Sequence, residues 1–183
     1  MGTGHDIPTA GDCTNCHRKV PSSVLGFSAL QLDRESATSE MPNLQTLADD
    51  GVFTENPVGS PPYFVLPGSE VTMNAFGYLH TNCGNCHNAF NLVIGNGINL
   101  SLEVSMLSVP EETMIYQTNV GVPSVFGTNR VEPGSPDESV LIERMGMRPG
   151  GMPPVASNQV DAQGIADVRA WVCELADGVD PCD

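Results

Sequence analysis

The sequence predicts a mostly α-helical chain built as two modules, residues 1–68 and 69–183, whose short helices are joined by long irregular loops. Three observations lead there. A five-residue pattern, C-x-x-C-H, occurs twice, at Cys13–His17 and at Cys83–His87, 70 positions apart. Apolar residues recur at helical spacing in several segments, with a capping residue at the start. Between these segments lie most of the 19 glycines and 15 prolines among 183 residues, a composition that interrupts helices and favours loops.

Taken in order, the chain opens with a polar segment that runs through Pro8-Thr9-Ala10-Gly11-Asp12 into the first motif. Val24, Leu25, Phe27, Leu30 and Leu32 mark a short helix or extended run. Pro42-Asn43 opens a helix with Leu44 and Leu47 on one face, and Gly51 ends it. Residues 56–68 hold four prolines and two glycines, which makes them a surface crossing and sets the module boundary near residue 68. Ser69 caps a helix that runs from Glu70 into the second motif, so that Tyr78 to His87 is expected to be helical. Gly95-Asn96-Gly97, between two apolar runs, suggests a small hairpin. Ser135-Pro136-Asp137-Glu138 reads as a helix start, with serine as cap, proline in the first position and Glu138 closing a capping box. Val140, Leu141, Ile142 and Met145 follow, and Gly146 ends that helix. Asp161 caps the last helix, where Ile165, Val168, Val172 and Leu175 form the inner stripe beside Trp171. Phe76, Tyr78 and Leu79 are the expected partners of that stripe.

The repeated motif has a chemical reading. C-x-x-C-H is the attachment signature of c-type haem: each thiol forms a thioether to one vinyl group, and the adjacent imidazole becomes the proximal iron ligand. Cys13, Cys16, Cys83 and Cys86 are the expected attachment points of two covalently bound haem c groups, with His17 and His87 as axial ligands. The two copies use four of the six cysteines and two of the four histidines. A helix that delivers C-x-x-C-H and a final helix packed on it is the order of a class I cytochrome c, expected for residues 69–183; residues 1–68 form an atypical cytochrome c-like module.

A sixth ligand for the second iron is legible in Gly150-Gly151-Met152-Pro153-Pro154, where Met152 sits on a proline-fixed loop 65 positions after His87. Its thioether can reach the opposite face of the iron, and His/Met ligation raises the reduction potential, which suits electron transfer. The first site has no such loop. His5, His80, Met41 and Met73 are the candidates for its sixth ligand, the histidines ahead of the methionines, and a five-coordinate iron is the alternative. Zinc is disfavoured, because paired knuckles are usually about 15–20 residues apart, and here 66 residues separate Cys16 from Cys83. A thioredoxin-like motif lacks its βαβ context. Cys173 and Cys182 are expected to form a disulfide in an oxidising compartment, with free thiols or a bond to another chain as alternatives.

Charge narrows the partners. Seven basic residues face 22 acidic ones, giving a formal charge of −15, and Lys19 is the one lysine. Nucleic acid and anionic membranes both demand a basic surface, so neither is an expected partner. A redox protein with a basic docking surface is one; a solvated acidic face without a dedicated partner is the bland alternative. No run reaches the roughly 18–20 apolar residues of a membrane span. Haem c is attached outside the cytoplasmic membrane, so a periplasmic or extracellular location is expected, with the chain a mature form or fragment of a longer protein.

With these residues in view, the sequence resembles bacterial extracytoplasmic di-haem c-type cytochromes over nearly its whole length. The amino half carries the likeness in His5-Asp6-Ile7-Pro8, Cys13-x-x-Cys16-His17 and Val24-Leu25-Gly26-Phe27-Ser28-Ala29-Leu30-Gln31-Leu32. The carboxyl half carries it in Tyr78-Leu79-His80-x-Asn82-Cys83-x-x-Cys86-His87-Asn88, in Arg148-x-x-x-Met152-Pro153-Pro154 and in the Asp161…Ala170-Trp171-Val172 ending. The resemblance implies electron carriage beside a larger periplasmic oxidoreductase or copper protein, and it favours His5 and His80 at the first haem. A non-enzymatic carrier is the leading expectation. The alternatives are a peroxidase-like enzyme or ligand sensor with an open position at the first haem, and a wiring domain of a larger oxidoreductase.

Overall fold

The computed structural model describes residues 7–18, 20, 23–34, 41–91, 96–155 and 157–176. Among these the chain is mostly helical and has no strand; the only β pairing is two isolated bridges, Val120 with Val131 and Pro123 with Asn129. In order, the helices are α1 (Ala10–His17), α2 (Ala29–Leu32), α3 (Leu44–Asp49), α4 (Glu70–Asn82), α5 (Met114–Asn119), α6 (Val140–Gly146) and α7 (Ala162–Glu174). No helix among the described residues is long and apolar enough to cross a membrane.

The chain divides into two compact units, one made of Met1–Leu25 with Pro67–Asp183 and the other of Gly26–Leu66. The edge at Pro67 lies beside the boundary expected near residue 68. The segment holding the first motif, however, groups with the residues that hold the second, because a disulfide between Cys16 and Cys86 ties α1 to the turn after α4.

The smaller unit is held by polar closures. Ser28 and Asn43 cap α2 and α3, each in a reciprocal box with the residue three positions on. The Phe64 N–H donates to the Asp33 carboxylate at 2.6 Å, and Tyr63 donates to Gln45. Helix α3 buries Leu44 and Ala48 and stops at Gly51, whose φ of 68° suits glycine.

The larger unit is organised on α4 and α7. The Ser69 hydroxyl accepts from the Thr72 N–H, and the Asp161 carboxylate accepts from the Gly164 N–H, so both helices start where their caps stand. Ala75, Phe76 and Leu79 of α4 and Val168, Trp171 and Val172 of α7 are buried. Phe76 meets Trp171 edge to face at 5.2 Å, the arrangement that aromatic quadrupoles favour. At one end, Ser69 and Thr72 donate to the Glu174 carboxylate at 2.7 and 2.8 Å. At the other, Gly164 lies against the Tyr78 ring so closely that a Cβ would overlap it. The two helices therefore run antiparallel, with the carboxylate of Glu174 at the positive end of α4.

Three local expectations are corrected. Helix α4 ends at Asn82, and Cys83 to His87 form a turn beyond it, not more helix. Gly84 makes this turn, since a Cβ there would stand 2.6 Å from the His80 carbonyl oxygen. Ser135 caps no helix: Pro136–Glu138 is a 3-10 turn, and α6 begins after Ser139. The Ser139 hydroxyl instead accepts from the Glu132 N–H at 2.9 Å and donates to the Ser135 carbonyl at 3.0 Å. Of the suggested hairpin, residues 92–95 lie outside the described residues, and Asn96 to Leu102 form a turn and coil with no strand.

Candidate functional site

The turn after α4 is held by its own backbone and by two asparagines. The Cys86 and His87 N–H groups donate to the Cys83 carbonyl at 3.1 and 2.8 Å. Asn88 donates to the Gly84 and Asn85 carbonyls at 3.0 and 3.1 Å, and Asn91 to that of Cys86 at 2.7 Å. The Leu100 N–H closes on the His87 carbonyl at 2.8 Å, which brings the 98–102 segment alongside. Local polar bonds thus fix Cys83, Cys86 and His87 without needing a helix.

This turn lines a cavity of about 850 Å³, within the size range of small-molecule and cofactor sites. Ile98, Leu100, Val140, Leu141, Met145 and Ile165 give it apolar walls. Cys83, Cys86 and His87 stand on the lining, as does Met152 from the loop between α6 and α7. That loop is tightly made: the Met152 N–H donates to the Arg144 carbonyl at 2.7 Å, and a Cβ on Gly151 would overlap the carbonyl oxygens of Met147 and Arg144. Two glycines and a proline pair therefore place the thioether by backbone geometry.

Helix α1 carries the first motif whole. Thr9 caps it in a box with Asp12, whose carboxyl the Thr9 hydroxyl and N–H hold below the usual carboxylate range. Cys13 and His17 are exposed, while Asn15 and Cys16 reach the same cavity as the second motif. The disulfide Cys16–Cys86 joins the second cysteine of each motif, leaving Cys13 and Cys83 as free thiols. Nothing in the motif spacing signalled this pairing.

The imidazoles differ in ways that decide their chemistry. His17 Nδ1 lies 2.9 Å from the Ser23 carbonyl oxygen; a carbonyl only accepts, so Nδ1 carries the proton and Nε2 keeps a lone pair for a metal. His87 is partly buried, burial lowers its pKa, and its Nδ1 has no hydrogen-bond partner among the described residues. His80 is the opposite of His17: its Nδ1 accepts the Leu102 N–H at 3.0 Å, which puts the proton of the neutral ring on Nε2. Burial lowers the His80 pKa as well. Met73 lies on α4 and Met41 in the 26–66 unit, and neither lines the cavity. His5 lies outside the described residues. Cys173 is disulfide-bonded, and its expected partner Cys182 also lies outside the described residues.

Charge at the cavity runs against the chain as a whole. Arg130, Arg144 and Arg148 line it, with Asp161 as the acidic member. Asp161 is engaged with the α7 N-terminus and with Tyr78, whose phenol is pushed up to about 12 by burial and by that carboxylate. Arg130 and Arg144 escaped the sequence reading, and Arg148 entered it only as part of the Met152 motif; the available signal was the bunching of all three within 19 positions of a chain with seven basic residues.

Chemically, the lining offers an imidazole nitrogen and a thioether sulfur as donors for a transition metal, the three cysteine sulfurs of Cys16, Cys83 and Cys86, and apolar walls beside three arginines. Searches of protein-family models, curated proteins and solved structures find no match for this chain.

Proposed function

We propose that this chain is a di-haem c-type cytochrome that carries electrons between extracytoplasmic redox partners, with a class I cytochrome c-like second module. The observation that carries this reading is the single cavity whose lining holds Cys83, Cys86, His87 and Met152 together. The donor set fits the group: two sulfurs for vinyl attachment, one imidazole, one thioether, apolar walls for the macrocycle and arginines for its carboxylates. The buried Nδ1 of His87, which has no hydrogen-bond partner among the described residues, supports a further group in this cavity. Haem supplies a one-electron couple of iron, tuned upward by a methionine ligand.

The residues divide the work. Cys83 and Cys86 would anchor the second group, His87 and Met152 would supply the ligands of its iron, and the walls from α6 and α7 would exclude water. Cys13 and Cys16 anchor the first, and His17 is pre-set for ligation by the Ser23 carbonyl. Each thioether consumes one thiol, so attachment needs Cys16 and Cys86 reduced, and their disulfide belongs to the haem-free chain. A dithiol reductant supplies the two electrons and two protons that open it and leaves as a disulfide.

A second reading concerns the first iron alone. The acceptor role of His80 Nδ1 opposes ligation through Nε2 and so weakens one candidate for the sixth position; an open position there would make the site a haem enzyme or ligand sensor. Spectroscopy of chain matured with haem tests both. Two c-type haems per chain are expected, with a methionine-to-Fe(III) charge-transfer band lost in Met152→Ala and kept in Met41→Ala. Zinc without haem, or a band indifferent to Met152→Ala, overturns the reading. Carbon monoxide binding at the first haem moves that site from carrier to enzyme or sensor.

A further inference from the structure

The three arginines of the cavity are unusual in this chain. With a formal charge of −15 and seven basic residues, it nevertheless puts three of the seven on one lining. None of the three forms an ion pair among the described residues; Arg169 shows the contrast, bound to Asp137 at 2.6 Å. Their anchors are neutral. Arg130 donates to the Thr118 and Asn96 carbonyls, and Arg148 to those of Met145 and Met147. The Arg144 guanidinium lies 5.2 Å over the Phe126 ring. Arg148 Nε is buried and has no partner among the described residues. Side chains are thus held in place while their charge stays unneutralised at the edge of an apolar space, the arrangement that binds an apolar body bearing carboxylates.

We infer that Arg130, Arg144 and Arg148 form a carboxylate-binding subsite that holds the two propionates of the haem anchored at Cys83 and Cys86. The inference rests on the cytochrome reading for its ligand, and on the cavity alone for its chemistry. Asp161 does not compete, because it is spent on the Gly164 N–H and the Tyr78 hydroxyl. Bound there, the guanidinium groups also raise the reduction potential, since positive charge near iron disfavours Fe(III).

Two measurements test it independently. In the haem-free full chain, titrated by tryptophan quenching, metal-free protoporphyrin IX is expected to bind about tenfold more tightly than its dimethyl ester. Arg130→Gln, Arg144→Gln and Arg148→Gln should each shrink that preference, with Arg144→Lys keeping most of it. In haem-loaded chain, the same glutamine variants should lower the ferrous-to-ferric ratio at fixed potential by about three- to tenfold. Equal affinity for acid and ester, or a ratio unmoved by all three variants, overturns the subsite. A chain that takes up no covalent haem yet still prefers the dicarboxylate refutes the cytochrome reading and supports the subsite.

Discussion

Cys13 and Cys83 hold the same place in the two motifs and meet different environments, the first exposed and the second half-buried. Cys13 is exposed on α1, whereas burial pushes the Cys83 thiol up to about 12. The thiolate is the reacting form, so Cys83 stays a neutral thiol at physiological pH. In the haem-free chain under non-reducing conditions, iodoacetamide is expected to label Cys13 at least about tenfold faster than Cys83. The Cys83 rate should climb about tenfold per pH unit up to its pKa, because the thiolate fraction does so below that point. Peptide mass spectrometry after timed quenching reads both; equal rates at pH 8 would show that Cys83 is not buried in solution. The histidines make the same point about single atoms. Their letters are identical in sequence, but a carbonyl facing His17 and an N–H facing His80 give the two rings opposite tautomers.

Among the elements, the loop from Met147 to Pro154 is the most exacting. Gly151 faces two carbonyl oxygens, and they belong to the backbone, so they cannot swing away. Gly151→Ala must therefore move the loop, break the bond from the Met152 N–H to Arg144, and carry the sulfur with it. The expected cost is about 1–3 kcal/mol of stability, the usual scale for overpacking. In haem-loaded chain the methionine charge-transfer band should weaken or vanish while both haems stay attached. A variant with unchanged urea midpoint and band would show the loop to be slacker than drawn. This loop also shows what a sequence can tell. Its glycine and proline content marked the tight loop that puts Met152 on the cavity lining, and side-chain caps at Ser69 and Asp161 marked the starts of α4 and α7, because those signals are local and strong. Ser135 misled, since proline and acids at the following positions serve a 3-10 turn equally well, and the Ser139 hydroxyl was the group the fold used. The arginine rim was not legible, because Arg130 joins Arg144 and Arg148 only through tertiary contacts. Nor was the helix end at Asn82, which depends on the fit of Gly84 beneath the His80 carbonyl.

At the scale of the whole molecule, the decisive link is Cys16–Cys86. It spans a sequence separation of 70 and joins the Met1–Leu25 segment to Pro67–Asp183 within one compact unit. Helix α1 has no buried residue of its own, so in the haem-free chain little else besides this bond fixes its position. Closing a loop of that length restricts the unfolded chain and is worth about 2–4 kcal/mol. The double variant Cys16→Ser/Cys86→Ser, made without haem, is expected to lose about that much stability in urea, while the disulfide at Cys173 stays intact and does not confuse the comparison. On the proposed cytochrome reading, haem should reverse the dependence, because thioethers at Cys16 and Cys86 would replace the cross-link. A non-reducing digest should accordingly show a peptide linking the two motifs in haem-free chain and none in haem-loaded chain. If the linked peptide persists in chain that carries two haems, Cys16 and Cys86 are not thioether-bonded and the assignment of those two cysteines falls. If instead the haem-free chain shows Cys13–Cys16 and Cys83–Cys86 bonds, each motif closes on itself and α1 is not tied to the turn after α4.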